Sequence, residues 1–124
     1  EVYQIDLFKN GKLQYLFSTP DKMYLIDWEY SGMSDYASDL GTFVCCSDYG
    51  YDEALRVYGL YFGRSMAPEE TRHCVAFTAL AGFYWFVWAL YKEACGDPVG
   101  EWLYLWYRNT KAFGNKALEL SASL

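Results

Sequence analysis

The sequence predicts an α+β fold, a small antiparallel β-meander followed by a mainly α-helical bundle. Three observations predict it. The first 27 residues are rich in β-formers punctuated by turn residues. From Ser34 onward the apolar residues recur at helical spacing. The 124-residue length suits one domain with its own core.

Val2, Ile5, Leu7 and Phe8 open the first strand, and Asn10-Gly11 is a strong hairpin signal because both residues accept positive φ. Leu13 to Phe17 returns, Thr19-Pro20-Asp21-Lys22 turns again, and Met23 to Trp28 is the third strand. Asp35 or Ser38 then caps a short helix running to about Cys46. Asp52 caps a second helix through Leu55, Val57, Tyr58 and Tyr61, ending near Gly63. Pro68 suits the first position of a long helix, with Glu69 and Glu70 in the first turn, where negative charge complements the helix dipole. That helix runs to Ala94 and stops at Gly96-Asp97-Pro98. A last helix carries Trp102, Leu103, Leu105, Trp106 and Phe113, with Gly114 expected to interrupt or bend it.

Composition narrows the function. Lys and Arg number 10 against 16 Asp and Glu, a net charge of −6. An acidic chain lacks the electrostatic footprint of a nucleic-acid binder, and no basic cluster would hold it on an anionic membrane. Apolar residues reach 53%, which excludes disorder. Aromatic residues reach 21%, enough to fill a core or line a binding site. Cys45, Cys46, Cys74 and Cys95 form no CxxC and His73 is the single histidine, so a structural zinc site is excluded. Buried thiols in a reducing cytoplasm are the expectation, since no basic n-region or apolar h-region opens the chain. The chain has no initiating Met, as a piece of a longer protein would not. Cys74 to Tyr91 carries no charge over 18 residues, a marginal bilayer span. Tyr84, Trp85 and Trp88 sit in its middle, whereas membrane spans place such rings near the interfaces. A central helix buried on all sides by other helices is the expectation.

The informative stretch is Met23 to Gly41, MYLIDWEYSGMSDYASDLG. An apolar run ends in Asp27, followed by Trp28-Glu29-Tyr30, and Ser38-Asp39-Leu40-Gly41 opens a helix. A carboxylate at a strand end suits Mg²⁺, although one such Asp alone is more often a turn residue. Downstream, Trp85 and Trp88 stand at i and i+3 and share a helix face. Two indoles so placed can wall a site for a quaternary ammonium, which donates no hydrogen bond and is held by aromatic faces. Taken alone, such a pair is more often core.

Leu25-Ile26-Asp27-Trp28-Glu29-Tyr30-Ser31-Gly32, with Asp39-Leu40-Gly41 beyond it and Trp85-Phe86-Val87-Trp88 in the long helix, resembles the choline/ethanolamine kinases. The bacterial choline kinase branch is the most similar, within the aminoglycoside phosphotransferase and protein-kinase-like superfamily. The resemblance implies the C-terminal lobe of that fold, ATP-dependent phosphorylation of choline or a related amino alcohol, and a cytoplasmic setting. It implies that Asp27 holds Mg²⁺ bridging the ATP phosphates and that Tyr30 lines the choline pocket. It makes Asp39 the structural acid that caps the next helix and ties it to the catalytic loop. Trp85 and Trp88 become walls of the choline box, Trp102 or Tyr104 a further wall, and Glu29 a source of long-range attraction.

The resemblance covers roughly residues 15–113. It divides a single domain, 1–124, into a divergent β-hairpin arm (1–14), a β-hairpin with the metal-binding Asp (15–33) and a helical part (34–124). Counted back without gaps, the family's H-x-D-x-x-x-x-N element puts its His at Leu7, its catalytic Asp at Lys9 and its Mg²⁺-binding Asn at Gln14. Lys9 is protonated at neutral pH and cannot take the proton from a choline hydroxyl, so no catalytic residue is assigned and the chain is expected to be inactive alone. Two other readings stand beside the kinase lobe: a non-catalytic quaternary-amine binding module, and a remnant that forms a homo-oligomer, a dimer, through exposed apolar surface.

Overall fold

A computed structural model describes residues 32–123 in full and the backbone of residues 3–9, 12–19 and 22–24. The chain divides into two compact units, Glu1–Ser34 and Asp35–Leu124. In the first, β1 (Tyr3–Lys9), β2 (Lys12–Thr19) and β3 (Lys22–Tyr24) are antiparallel backbone segments in the order β1-β2-β3. The β1–β2 register pairs Tyr3 with Ser18 and Lys9 with Lys12.

The second unit is a bundle of four helices: α1 (Tyr36–Cys46), α2 (Tyr51–Phe62), α3 (Pro68–Ala94) and α4 (Trp102–Ala122). No strand occurs among residues 32–123. The fold class is therefore a helical bundle, which corrects the α+β expectation with its β-meander. The physical reason lies in the core. Both described core clusters are built from helices α1 to α4 and the turns between them. Alternating apolar residues near the N-terminus satisfy a strand pattern, but every fully buried apolar residue among the described ones lies in a helix.

Each helix boundary has a local cause. Asp35 caps α1, its carboxylate accepting from the Ala37 N–H at 2.8 Å. The cap of α2 is Gly50, not Asp52, with Glu53 reaching back to accept from the Gly50 N–H at 2.8 Å. Gly63, in the left-handed region at φ 62°, ends α2. Pro68 opens α3, and Glu70 accepts from the Ala67 N–H at 2.8 Å. The α4 helix runs unbroken through Gly114, contrary to expectation.

The centre of the bundle is α3. A Cβ added at Gly41 would lie 2.8 Å from the Phe77 carbonyl carbon and oxygen, so α1 crosses α3 backbone to backbone there. A Cβ at Gly82 would lie 2.9 Å from Thr110 Oγ1, marking the matching approach of α4. Cys74, Val75, Thr78, Gly82, Trp85 and Ala89 form the buried stripe of α3. Its opposite side is open, with Leu80, Phe83, Tyr84, Val87, Leu90 and Tyr91 exposed. The expectation of a helix buried on all sides is thus corrected: two neighbours can cover only one side of a helix that is apolar all round. Among the described residues α3 is the one helix long and apolar enough to cross a membrane.

Candidate functional site

The four indoles Trp85, Trp88, Trp102 and Trp106 converge where α3 packs on α4. Trp106 is the hub. Its ring centroid lies 5.6 Å from Trp85, 6.1 Å from Trp88 and 5.3 Å from Trp102. Trp85 and Trp88 meet edge to face at 5.7 Å and 80°. The i, i+3 spacing on α3 thus produces adjoining walls, and i, i+4 spacing on α4 sets Trp102 beside Trp106 with the rings tilted by 36°. Trp85 and Trp106 are each only 5% exposed and belong to the second core cluster, while Trp88 and Trp102 are half-buried. The buried Trp106 indole N–H has no acceptor among the described residues. Trp106 was not anticipated as a site residue, although its spacing from Trp102 was readable.

Beside this cluster runs an open groove of about 300 Å³ between α1 and α3. Ser38, Thr42, Phe77, Leu80, Ala81, Tyr84 and Trp85 line it. Its lining is neutral: three rings, the hydroxyls of Ser38, Thr42 and Tyr84, and aliphatic surface. Such a lining suits a ligand that presents methyl groups and a diffuse positive charge, and offers no cationic side chain to a phosphate. The groove exists because Gly41 brings α1 close to α3 and sets Ser38 and Thr42 opposite Phe77 and Ala81.

The expected site residues are distributed unequally. Trp85, Trp88 and Trp102 are brought together, and of these only Trp85 lines the groove. Tyr104 projects from α4, 64% exposed, outside the indole cluster. Asp39 is exposed in the first turn of α1, one residue beyond groove-lining Ser38; the capping carboxylate is that of Asp35. Asp27, Glu29 and Tyr30 lie outside the described residues, as does the side chain of Lys9. Among the described residues no group of three or more His, Cys, Asp or Glu side chains could hold a metal.

Electrostatics near the groove is local. His73 Nε2 lies 3.0 Å from both carboxylate oxygens of Asp35, joining α3 to the start of α1. The Ala37 N–H and then His73 hold the Asp35 carboxyl below its ordinary range. Lys92 places its ammonium 5.8 Å from the Trp88 ring centroid and pairs with Asp97, which raises its pKa. Burial pushes the Cys45 thiol up to about 12 and the Cys74 thiol up to about 11, so both are inert neutral thiols at physiological pH. At the far end of α1, Asp48 pairs with Arg108 and accepts from Asn109 Nδ2 at 3.4 Å, tying α1 to α4.

Comparison with known proteins bears on this geometry. The chain is 26% identical over 88 residues to Protein LicA of Haemophilus influenzae strain Rd, covering 66% of this chain and 33% of that protein. A second Protein LicA from Haemophilus influenzae matches over 88 residues at 26% identity, with 66% of this chain and 26% of the relative covered. The chain therefore spans about a third or less of the length of these relatives. No protein-family model and no solved structure matches.

Proposed function

We propose that this chain is part of a choline kinase-like phosphotransferase, and that its helical unit supplies the amine-binding wall. The observation that carries the reading is the joint occurrence of two features. The I-D-W-E-Y string and the W-x-x-W pair resemble choline kinases, and the two indoles of that pair meet at right angles beside a neutral, ring-lined groove. Similarity to Protein LicA supports it at low identity.

In this reading the trimethylammonium group enters the groove against Trp85, Tyr84 and Phe77, where ring faces and edges replace water around its methyl groups. Trp88, Trp102 and Trp106 back Trp85 and fix its ring, so the cluster is the rigid support of the wall. On the resemblance Asp27 would hold Mg²⁺, which would supply charge neutralisation at the ATP phosphates. The resemblance assigns Tyr30 and Glu29 to the amine, and Asp39 stabilises the first turn of α1 through the helix dipole. A nucleotide substrate places the protein in the cytoplasm and off the membrane. Lys9 stands where the resemblance puts the catalytic base, so this chain binds the amine without turning it over.

A second reading has its own support. Trp85 and Trp106 are 5% exposed, as in a plain aromatic core. Calorimetric titration with choline and with its neutral carbon isostere separates the two. The amine-wall reading expects weak, millimolar binding of choline, little binding of the isostere, and loss of binding in Tyr84→Ala with the fold intact. Equal heats from the two compounds, or none from either, sink it and leave the core reading.

A further inference from the structure

The uncharged run Cys74–Tyr91 is absorbed only on one side by the bundle. On the other, Leu80, Tyr84, Val87 and Tyr91 recur at spacings of four, three and four residues, the pattern of a coiled-coil seam. They are 59%, 64%, 46% and 65% exposed, and Phe83 and Leu90 flank them at 54% and 46%. The three rings bury about 150–250 Å² each when covered and the three aliphatic side chains less, so the six half-open leave on the order of 600 Å². That is the upper end of the roughly 300–600 Å² of the largest apolar patch on a typical monomer and a large part of the ~800 Å² that each partner gives to a standard interface.

We infer that this face of α3 is the seam of a homodimer in which two α3 helices pack antiparallel about a two-fold axis. Self-complementarity selects a second copy over another partner. An antiparallel two-fold axis passing between Tyr84 and Val87 sets Tyr84 of one copy opposite Val87 of the other, and Leu80 opposite Tyr91. Leu80 and Tyr84 also line the groove, so the seam does not rest on the amine-wall reading and competes with it for these side chains. Every level then joins one ring to one aliphatic side chain, and the exchange works identically in both directions. Phe83 and Leu90, on one flank of the stripe, meet the same flank of the second copy. No charge is buried, because none lies on the run between Cys74 and Tyr91. The face fits protein better than lipid, since the exposed Tyr84 hydroxyl sits mid-helix, where a bilayer core offers it no partner.

Sedimentation equilibrium of the full chain tests the seam. It is expected to show a dimer at micromolar concentration, and Val87→Glu is expected to weaken the dimer by roughly a hundredfold or more because it desolvates two carboxylates at the axis. Helical circular dichroism verifies that the variant folds, and Leu90→Glu repeats the test on the flank. Disulfide cross-linking in a Cys95→Ser background checks the register independently. The two copies of Val87 are offset by about 4.5 Å along the axis and those of Tyr91 by about 16 Å, so Val87→Cys cross-links and Tyr91→Cys does not. A monomeric chain, a Val87→Glu dimer as tight as the parent, or equal cross-linking at the two positions overturns the inference. So does wild-type chain that partitions onto neutral phospholipid vesicles and is released by Val87→Glu.

Discussion

Replacing Gly41 by Ala tests the packing that creates the groove. The added Cβ would meet the Phe77 carbonyl carbon and oxygen at 2.8 Å and the Thr78 nitrogen at 2.9 Å. All three are backbone atoms of α3, so no side chain can swing aside. Restoring ordinary contact at about 3.4 Å requires α1 to move off α3 by about 0.6 Å. Overpacking of this kind costs about 1–3 kcal/mol. Against it stands the intrinsic gain of Ala over Gly inside a helix, about 0.5–1 kcal/mol. The net expectation is a loss of about 1–2 kcal/mol, or a fall in Tm of about 5–15 °C for a unit of this size. Gly114 is the control. It lies within α4 and a Cβ there meets nothing within 4 Å, so Gly114→Ala keeps the propensity gain and raises stability by about 0.5–1 kcal/mol. Urea denaturation followed by helical circular dichroism measures both. A Gly41→Ala variant as stable as the parent, or shifted in the same direction as Gly114→Ala, refutes the close crossing of α1 and α3.

Two further outcomes follow from the charges and thiols. Arg64, and then the Ala67 N–H, bring the Glu70 carboxyl from 4.5 down to about 2. A depressed carboxylate stabilises the fold above its unfolded pKa and loses that contribution as pH falls, so thermal stability should decline between about pH 5 and pH 2, and Glu70→Gln should flatten the decline; an unchanged slope in the variant would count against the pair. Among the thiols, Cys45 and Cys74 are buried and pushed up to about 12 and about 11, whereas Cys95 is exposed. A limiting alkylating reagent at neutral pH should therefore label Cys95 ahead of Cys45 and Cys74, as read by peptide mass spectrometry, and early labelling of either buried thiol would contradict the packing.

Much of the helical unit was legible in the residues. Pro68 and the Gly96-Asp97-Pro98 stop bound α3 where proline's missing N–H and fixed φ permit, and Gly63 ends α2 because a left-handed residue is needed there. Local chemistry was less decisive where two candidates competed. Asp35 and Ser38 both suit the start of α1, and Gly50 with Glu53 outdid Asp52 at α2, because a cap depends on the direction from which the chain arrives. Gly114 is tolerated inside α4 because a long helix absorbs one poor residue.

The candidate site shows the same division. Spacing alone placed Trp85 beside Trp88, since three residues is nearly one helical turn. Nothing local could place Trp106 at the hub, because that contact joins α3 to α4 and depends on the close approach at Gly82. Nor could periodicity say which side of α3 would be covered: the run Cys74–Tyr91 is apolar in every direction, so its hydrophobicity has no preferred face. Chain chemistry by itself determined where helices begin and end and which rings neighbour each other along one helix. Tertiary packing decided which rings became core, which formed the groove and which stayed open, because burial is a property of two surfaces and the sequence of one helix specifies only its own.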